Sequence, residues 1–304
     1  MDERQKRILG GLIFIISSLL IWIQWDKTEE TLMYFPEDER VSFLQAFTSL
    51  SIVDDFDEDQ YTIGWNIASK VDEEVYLRQD VSLLFEDGRL IGKENEWEGD
   101  ASELSVHRTI DSDDSGRYEA ISFHHAEIHY PYDEIKSKQT MSSDQLYVVD
   151  SPLRNMISFH EPTNEEEQEA KDTLDKIVNQ QLEYTWKDLI HHFDISLTDY
   201  DPVAFNKILK FQNEPIPKLT MAQTKTIIGQ LWEGLYRNYI LAIRDDNNQE
   251  FADIPQVNKQ HDKAPIGHSM PLILIHKDRT HLFVVYENAD GDRYKLRQNI
   301  NLDN

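Results

Sequence analysis

The chain has 304 residues, with 57 acidic against 30 basic side chains, a formal net charge of −27 and no cysteine. Such a charge repels nucleic acid and anionic headgroups, because binding either one needs clustered Lys and Arg, so no nucleic-acid partner is expected. Absence of cysteine removes disulfides, thiolate metal sites and Cys nucleophiles together, while 39% hydrophobic and 11% aromatic residues suffice for packed cores and argue against global disorder.

Ile8 through Trp25 is the one unbroken apolar stretch, with Arg4, Lys6 and Arg7 before it and Asp26, Glu29 and Glu30 after it. A helix of that length runs roughly 27 Å, close to the ~30 Å hydrocarbon core, and the basic N-terminal flank sets the orientation by the positive-inside rule. Trp22 and Trp25 fall where an outer aromatic belt lies. The first alanine is Ala46, so no A-x-A cleavage site follows the stretch and an uncleaved anchor is expected rather than a signal peptide. Residues 1–7 then form a cytoplasmic tail, 8–25 a transmembrane anchor in the lipid bilayer, and 26–40, acidic and interrupted by Pro36, a stalk.

Beyond the stalk, Tyr61, Ile63, Trp65 and Ile67 alternate at the period of a half-buried strand. Asp87-Gly88 marks a hairpin turn, and β-branched or aromatic runs recur at 105–110, 118–130 and 145–149. Residues 41–160 therefore read as a strand-rich, β-sandwich-like domain. The pattern changes at Glu161-Pro162. Thr163-x-x-Glu166 has the form of a capping box, and Ala170, Leu174, Ile177, Val178, Leu182, Trp186, Leu189, Ile190 and Phe193 give a long helix one apolar face. A second, short helix is expected from Asp201 as N-cap and Pro202 at N1 to about Phe211. A third opens at Thr220-x-x-Gln223 and runs to Asp245-Asp246. A polar stretch, 249–268, precedes an apolar hairpin of Pro271–His276 and His281–Glu287 and a last turn at Asp290-Gly291. Residues 161–304 thus read as a helical α+β domain with a terminal β-hairpin, and the whole as a membrane-anchored α+β protein.

His124-His125-Ala126-Glu127-Ile128-His129 is the densest run of ligand-capable side chains. On a strand His125, Glu127 and His129 share one face, and two imidazoles with a carboxylate can hold zinc with an open position for water, the requirement of a metal-dependent hydrolase. Residues at i and i+2 on a strand stand roughly 6–7 Å apart, so convergence on one ion needs a bend, and the plainer reading is a polar strand face. Asp111, Asp113, Ser115 and Glu119 partly follow a calcium loop, although position 12 is Ser122 where a bidentate Glu belongs. His191-His192 near a helix end and His276 opposite His281 across the hairpin have ordinary explanations in helix-dipole and cross-strand contacts. Trp232, Tyr236 and Tyr239 would form a partner-binding patch if exposed, and core if not. There is no P-loop, G-x-G-x-x-G, nucleophile elbow or H-E-x-x-H. The function expected is non-enzymatic binding or assembly at a bacterial cell envelope, N-terminus cytoplasmic and the rest outside, with an envelope protein as partner and no required cofactor. A zinc hydrolase and a calcium-stabilised domain are the alternatives.

Overall fold

The computed structural model describes residues 35–57, 60–151, 154–235, 239 and 267–300. The tail and anchor at 1–25, most of the expected stalk and Tyr236 lie outside the described residues, and Tyr34–Asn304 clusters as one compact unit. Among the described residues no helix is long and apolar enough to cross a membrane.

The fold is strand-rich, with a barrel-like sheet, a second sheet and few helices. Six strands make the first sheet: β1 (Phe43–Asp57), β2 (Gln60–Glu86), β3 (Arg89–Ser112), β4 (Gly116–His129), β5 (Ile135–Ser151) and β6 (Arg154–Phe159). Straight, the 27 residues of β2 would run ~90 Å, about twice the width of a compact unit of this size, so the strand has to bend. It does so where its pairing register shifts, between Lys70 and Val75 and between Gln79 and Ser82. β3 follows β2 along one edge from Tyr61 to Glu86, while the other edge takes β1 against residues 60–71 and then β4 against residues 76–86. One strand serving two partners in succession coils the sheet on itself, and a side chain helps to close it, because the Leu50 amide on β1 donates to Asp144 Oδ2 on β5 at 2.7 Å. The β2–β3 turn is Asp87-Gly88 with φ of 48° and 79°, the two left-handed residues that a two-residue hairpin matching strand twist requires.

The alternation of β2 explains the interior. Tyr61, Ile63, Trp65 and Ile67 point inward with Leu50, Leu84, Val106, Tyr118, Ala120, Leu146 and Val148. A smaller apolar group, including Val41, Val71, Val75, Leu77, Leu104 and Ile128, closes one end. β4 is buried on both faces, since its outward residues Ile121 and Phe123 enter a second core.

That second core is shared between the halves of the unit. Leu83, Phe85, Ile121, Phe123 and Met141 from the first sheet pack with Val178, Leu182, Phe205, Trp232, Ile273 and Val284 from beyond residue 161. Helix α1 (Glu165–His192) begins one residue later than the sequence suggests: Asn164 is the N-cap, accepting from the Glu167 amide at 2.9 Å, while Glu167 Oε2 accepts from the Thr163 amide at 2.6 Å. Asn caps a helix at least as well as Thr, so the box slides to Asn164 and Glu167.

The short helix expected from Asp201 is instead strand β7 (Tyr200–Ala204), followed by a 3₁₀ segment, Phe205–Gln212. Pro202 is accommodated because β7 is an edge strand, where a missing donor costs least. Asp201 accepts from Arg279 Nη2 at 2.8 Å rather than capping a helix. Helix α2 (Met221–Leu235) starts at the expected box, with Thr220 and Gln223 exchanging side-chain-to-amide bonds of 2.9 and 3.2 Å. The terminal hairpin, β8 (Leu272–His276) and β9 (His281–Glu287), is the centre of a four-stranded sheet in the order β10-β9-β8-β7, with β10 at Arg293–Asn299. Both its faces are covered: Ile273, Ile275, Leu282 and Val284 face the shared core, and Leu272, Leu274 and Val285 face Leu189, Trp186 and Phe193 at the end of α1.

Candidate functional site

β4 carries ligand-capable side chains on both of its faces, and the two sets have different fates. Inward, His124 is fully buried, with Nδ1 2.8 Å from Ser69 Oγ on β2 and Nε2 2.7 Å from Ser142 Oγ on β5. Ser142 Oγ lies 2.7 Å from Thr48 Oγ1 on β1, which donates to Ser122 Oγ at 2.6 Å. A polar chain thus crosses the barrel interior and links four strands. Burial pushes the imidazole down to about 4, so it is neutral at physiological pH and bridges two hydroxyls with one donor and one acceptor nitrogen.

Outward, His125, Glu127 and His129 share a face as the strand period requires, but Glu127 is consumed by its neighbours. One oxygen accepts from Arg78 Nη1 and the other lies 3.2 Å from His129 Nε2. His125 is buried beside Phe123, their ring centroids 6.0 Å apart, whereas the His129 ring stacks on Tyr76 at 5.8 Å. Tyr76 stacks in turn on Trp97 of β3 at 5.5 Å. Among the described residues no group of three or more His, Asp or Glu stands placed to hold a metal ion. What this face presents is a row of rings beside a carboxylate paired with an arginine, and Trp97 is 60% exposed.

Three of the four residues of the calcium-like pattern are held by separate partners. Asp111 accepts from Thr62 Oγ1 at 2.8 Å, Ser115 Oγ donates to the Asp150 carbonyl at 2.9 Å, and Glu119 accepts from Arg117 at 2.6 Å and from Asn206 at 2.9 Å. Asp113 lies in the β3–β4 connection. Glu119 belongs to a buried ion network that joins the barrel to α1: Arg117, 3% exposed at its side chain, also donates to Asp175 at 3.0 Å, and Asp175 accepts from Tyr147 and Lys171. Burial pushes Asp175 up, but the hydrogen bonds from Lys171, Tyr147 and Arg117 outweigh it and hold the carboxyl below its ordinary value.

Trp232 and Tyr239 do not make a surface patch, since both are 0% exposed. Trp232 stacks on Phe123 at 5.2 Å, meets Phe205 edge-on at 5.2 Å and donates its indole N–H to Met141 Sδ at 3.1 Å. A wide apolar face on a helix between two sheets is core because water has no access to either side. His276 and His281 do meet across the hairpin, ring centroids 4.8 Å apart, with the Tyr200 hydroxyl 2.9 Å from His281 Nε2. His192 stands in the last turn of α1 against Phe193.

The inward hydroxyl chain is what reading the sequence missed, and its signal was present. Continuing the inward parity of β2 past Ile67 reaches Ser69, and continuing that of β4 past Ala120 reaches Ser122 and His124. An open groove of about 650 Å³ also escaped notice, lying between the Asp87-Gly88 turn and the Ile177 to Thr185 side of α1. Comparison with known protein families, with curated proteins and with solved structures finds no match to this chain.

Proposed function

We propose that this chain is a single-pass, membrane-anchored protein of a bacterial cell envelope that works outside the membrane by binding or assembly with an envelope protein, not by catalysis. The observation that carries this reading is the outer face of β2–β4, where exposed Trp97 leads a row of stacked rings and the adjacent carboxylate, Glu127, is already paired with the Arg78 guanidinium and lies 3.2 Å from His129 Nε2. Exposed aromatic surface beside satisfied charges suits recognition, since rings bring large contact area at low conformational cost. The apolar run Ile8–Trp25 with its basic flank supports the anchor, and the acidic, cysteine-free remainder suits an exterior location.

Protease added to intact cells tests the topology: the residues after the anchor are digested and an epitope within residues 1–7 survives. Digestion of neither, or of both, refutes it. Elemental analysis of the purified protein tests the alternative chemistry, because stoichiometric zinc that disappears on His125→Ala would make the hydrolase the better reading.

A further inference from the structure

We infer that one face of the four-stranded sheet, beside the end of α1, is a binding site for a phosphate group held by Arg297, Lys295 and His276. The register of the sheet builds it. Tyr200 of β7 pairs with His276 of β8, the pairing of Ile275 with Leu282 brings His276 opposite His281 of β9, and Asn299 of β10 pairs with His281. One row thus crosses all four strands on one face. Two residues along, Phe283 pairs with Arg297, and two further Val285, which packs under the end of α1 with Leu272 and Leu274, pairs with Lys295. Tyr200, His276, His281 and Phe283 form a floor of rings whose neighbouring centroids stand 4.8 to 5.7 Å apart. Lys295 Nζ borders this floor, 5.2 Å from the Phe283 ring centre and 5.1 Å from that of Phe193.

What the face lacks is an acceptor. The Asp278 amide donates to His276 Nδ1 at 3.1 Å, and a ring nitrogen that accepts carries no proton, so the neutral ring keeps its proton on Nε2. Among the described residues that N–H has no partner, and the exposed Arg297 and Lys295 meet no carboxylate. The acids nearby are engaged, outweighed or peripheral. Asp188 accepts from Arg293 Nε and Asp201 from Arg279 Nη2, each at 2.8 Å. At Tyr200 the charge of Arg297 outweighs that of Asp199. Asp194 follows Phe193 after α1, and Asp278 lies in the β8–β9 turn beside Lys277, both exposed. Burial first, then the charges of Arg297 and His276, hold His281 below its ordinary value, and no carboxylate acts against them there. On a chain of net charge −27 this is a face with donors to spare. A guanidinium fork, an ammonium and an imidazole N–H suit the several acceptor oxygens of a dianionic phosphate group better than the two of a carboxylate.

Calorimetric titration of the full-length chain in a non-ionic detergent at low salt and pH 7 tests this with inorganic phosphate, phenyl phosphate and acetate. One phosphate per chain is expected to bind with Kd below about 1 mM. Arg297→Gln should weaken it at least about tenfold, and His276→Phe, which keeps the stacked ring but loses the Nε2 donor, about fivefold. Lys176→Gln, which removes an exposed cation in the middle of α1, should leave it unchanged, and circular dichroism checks that each variant is folded. Absence of binding, or equal weakening by Arg297→Gln and Lys176→Gln, overturns the site. Acetate bound as tightly as phosphate overturns the phosphate assignment. Phenyl phosphate bound more tightly than inorganic phosphate assigns the site to a phosphomonoester, and equal affinity assigns it to the free ion.

Discussion

His124 supplies a pH dependence that can be calculated and then removed. The ring is wholly buried within the barrel, and burial depresses it from 6.5 to about 4. A depressed imidazole means that the unfolded chain takes up a proton before the folded one does, so the effect on stability is nil above pH ~7 and destabilising as pH falls through 6.5, levelling off below about 4. Each pH unit in that window costs up to about 1.4 kcal/mol, which brings the loss to about 2.5 kcal/mol near pH 4.5 and about 3.4 kcal/mol at its limit. His124→Gln keeps a donor and an acceptor for Ser69 and Ser142 but cannot titrate. Urea unfolding of the full-length chain in a non-ionic detergent, followed by tryptophan fluorescence at several values between pH 7.5 and pH 4.5, gives both curves. Carboxylates and the other histidines titrate alike in the two proteins, so the difference isolates His124. The variant is less stable at neutral pH, and the gap between it and wild type closes by about 2.5 kcal/mol toward pH 4.5. Parallel curves would refute the reasoning, because they mean that the folded protein admits the proton as readily as water does.

Arg117→Met leaves Glu119 buried without its cation and is expected to cost about 3–5 kcal/mol by denaturant titration, and a loss below 1 kcal/mol would mean that water replaces the guanidinium. Trp232→Ala removes a ring stacked on Phe123 and edge-on to Phe205, at an expected cost of about 3–5 kcal/mol, and acrylamide quenching should show the native indole shielded. Gly88 and Gly291 make a matched pair at φ of 79° and 84°: a Cβ on Gly88 meets Leu182 Cδ2 at 2.7 Å, and one on Gly291 meets nothing within 4 Å. Gly291→Ala should cost about 1 kcal/mol of backbone strain and Gly88→Ala about 2 kcal/mol, so equal losses would show that Leu182 moves aside freely.

Local signals were legible wherever one residue could decide the outcome. Asp87-Gly88 announced its hairpin because few other dipeptides accept two left-handed residues, and Thr220-x-x-Gln223 placed the start of α2 to the residue. Pro202 misled because its fixed φ suits a helix N1 position and an edge strand alike, and only the sheet β7 joins, set by Ile273 and Leu274 some seventy residues later, decides between them. Coiling of the first sheet was illegible for the same reason. Nothing in residues 60–86 says that one edge of β2 serves β1 and then β4, because strand exchange depends on where β4 returns, and that return is set by a non-local pairing.

Candidate sites divide along the same line. Strand parity correctly placed His125, Glu127 and His129 on one face and His124 on the other, but parity is silent about what the facing strands bring. Arg78 lies opposite His125 in the register of β2 and β4, and from there it reaches Glu127, so a carboxylate that looked available as a ligand is an ion-pair partner. On the inward face the facing strands bring hydroxyls, Ser69, Ser142 and Thr48, and a histidine that looked incidental becomes the member joining them. A polar residue on an inward strand position must find partners across the barrel or leave a buried group unsatisfied. The inward positions of every strand therefore have to be read together: five polar residues on one inward layer, Ser69, His124, Ser142, Thr48 and Ser122, constrain each other, and with the fold, in a way that a run of three ligand-like residues on a single strand does not.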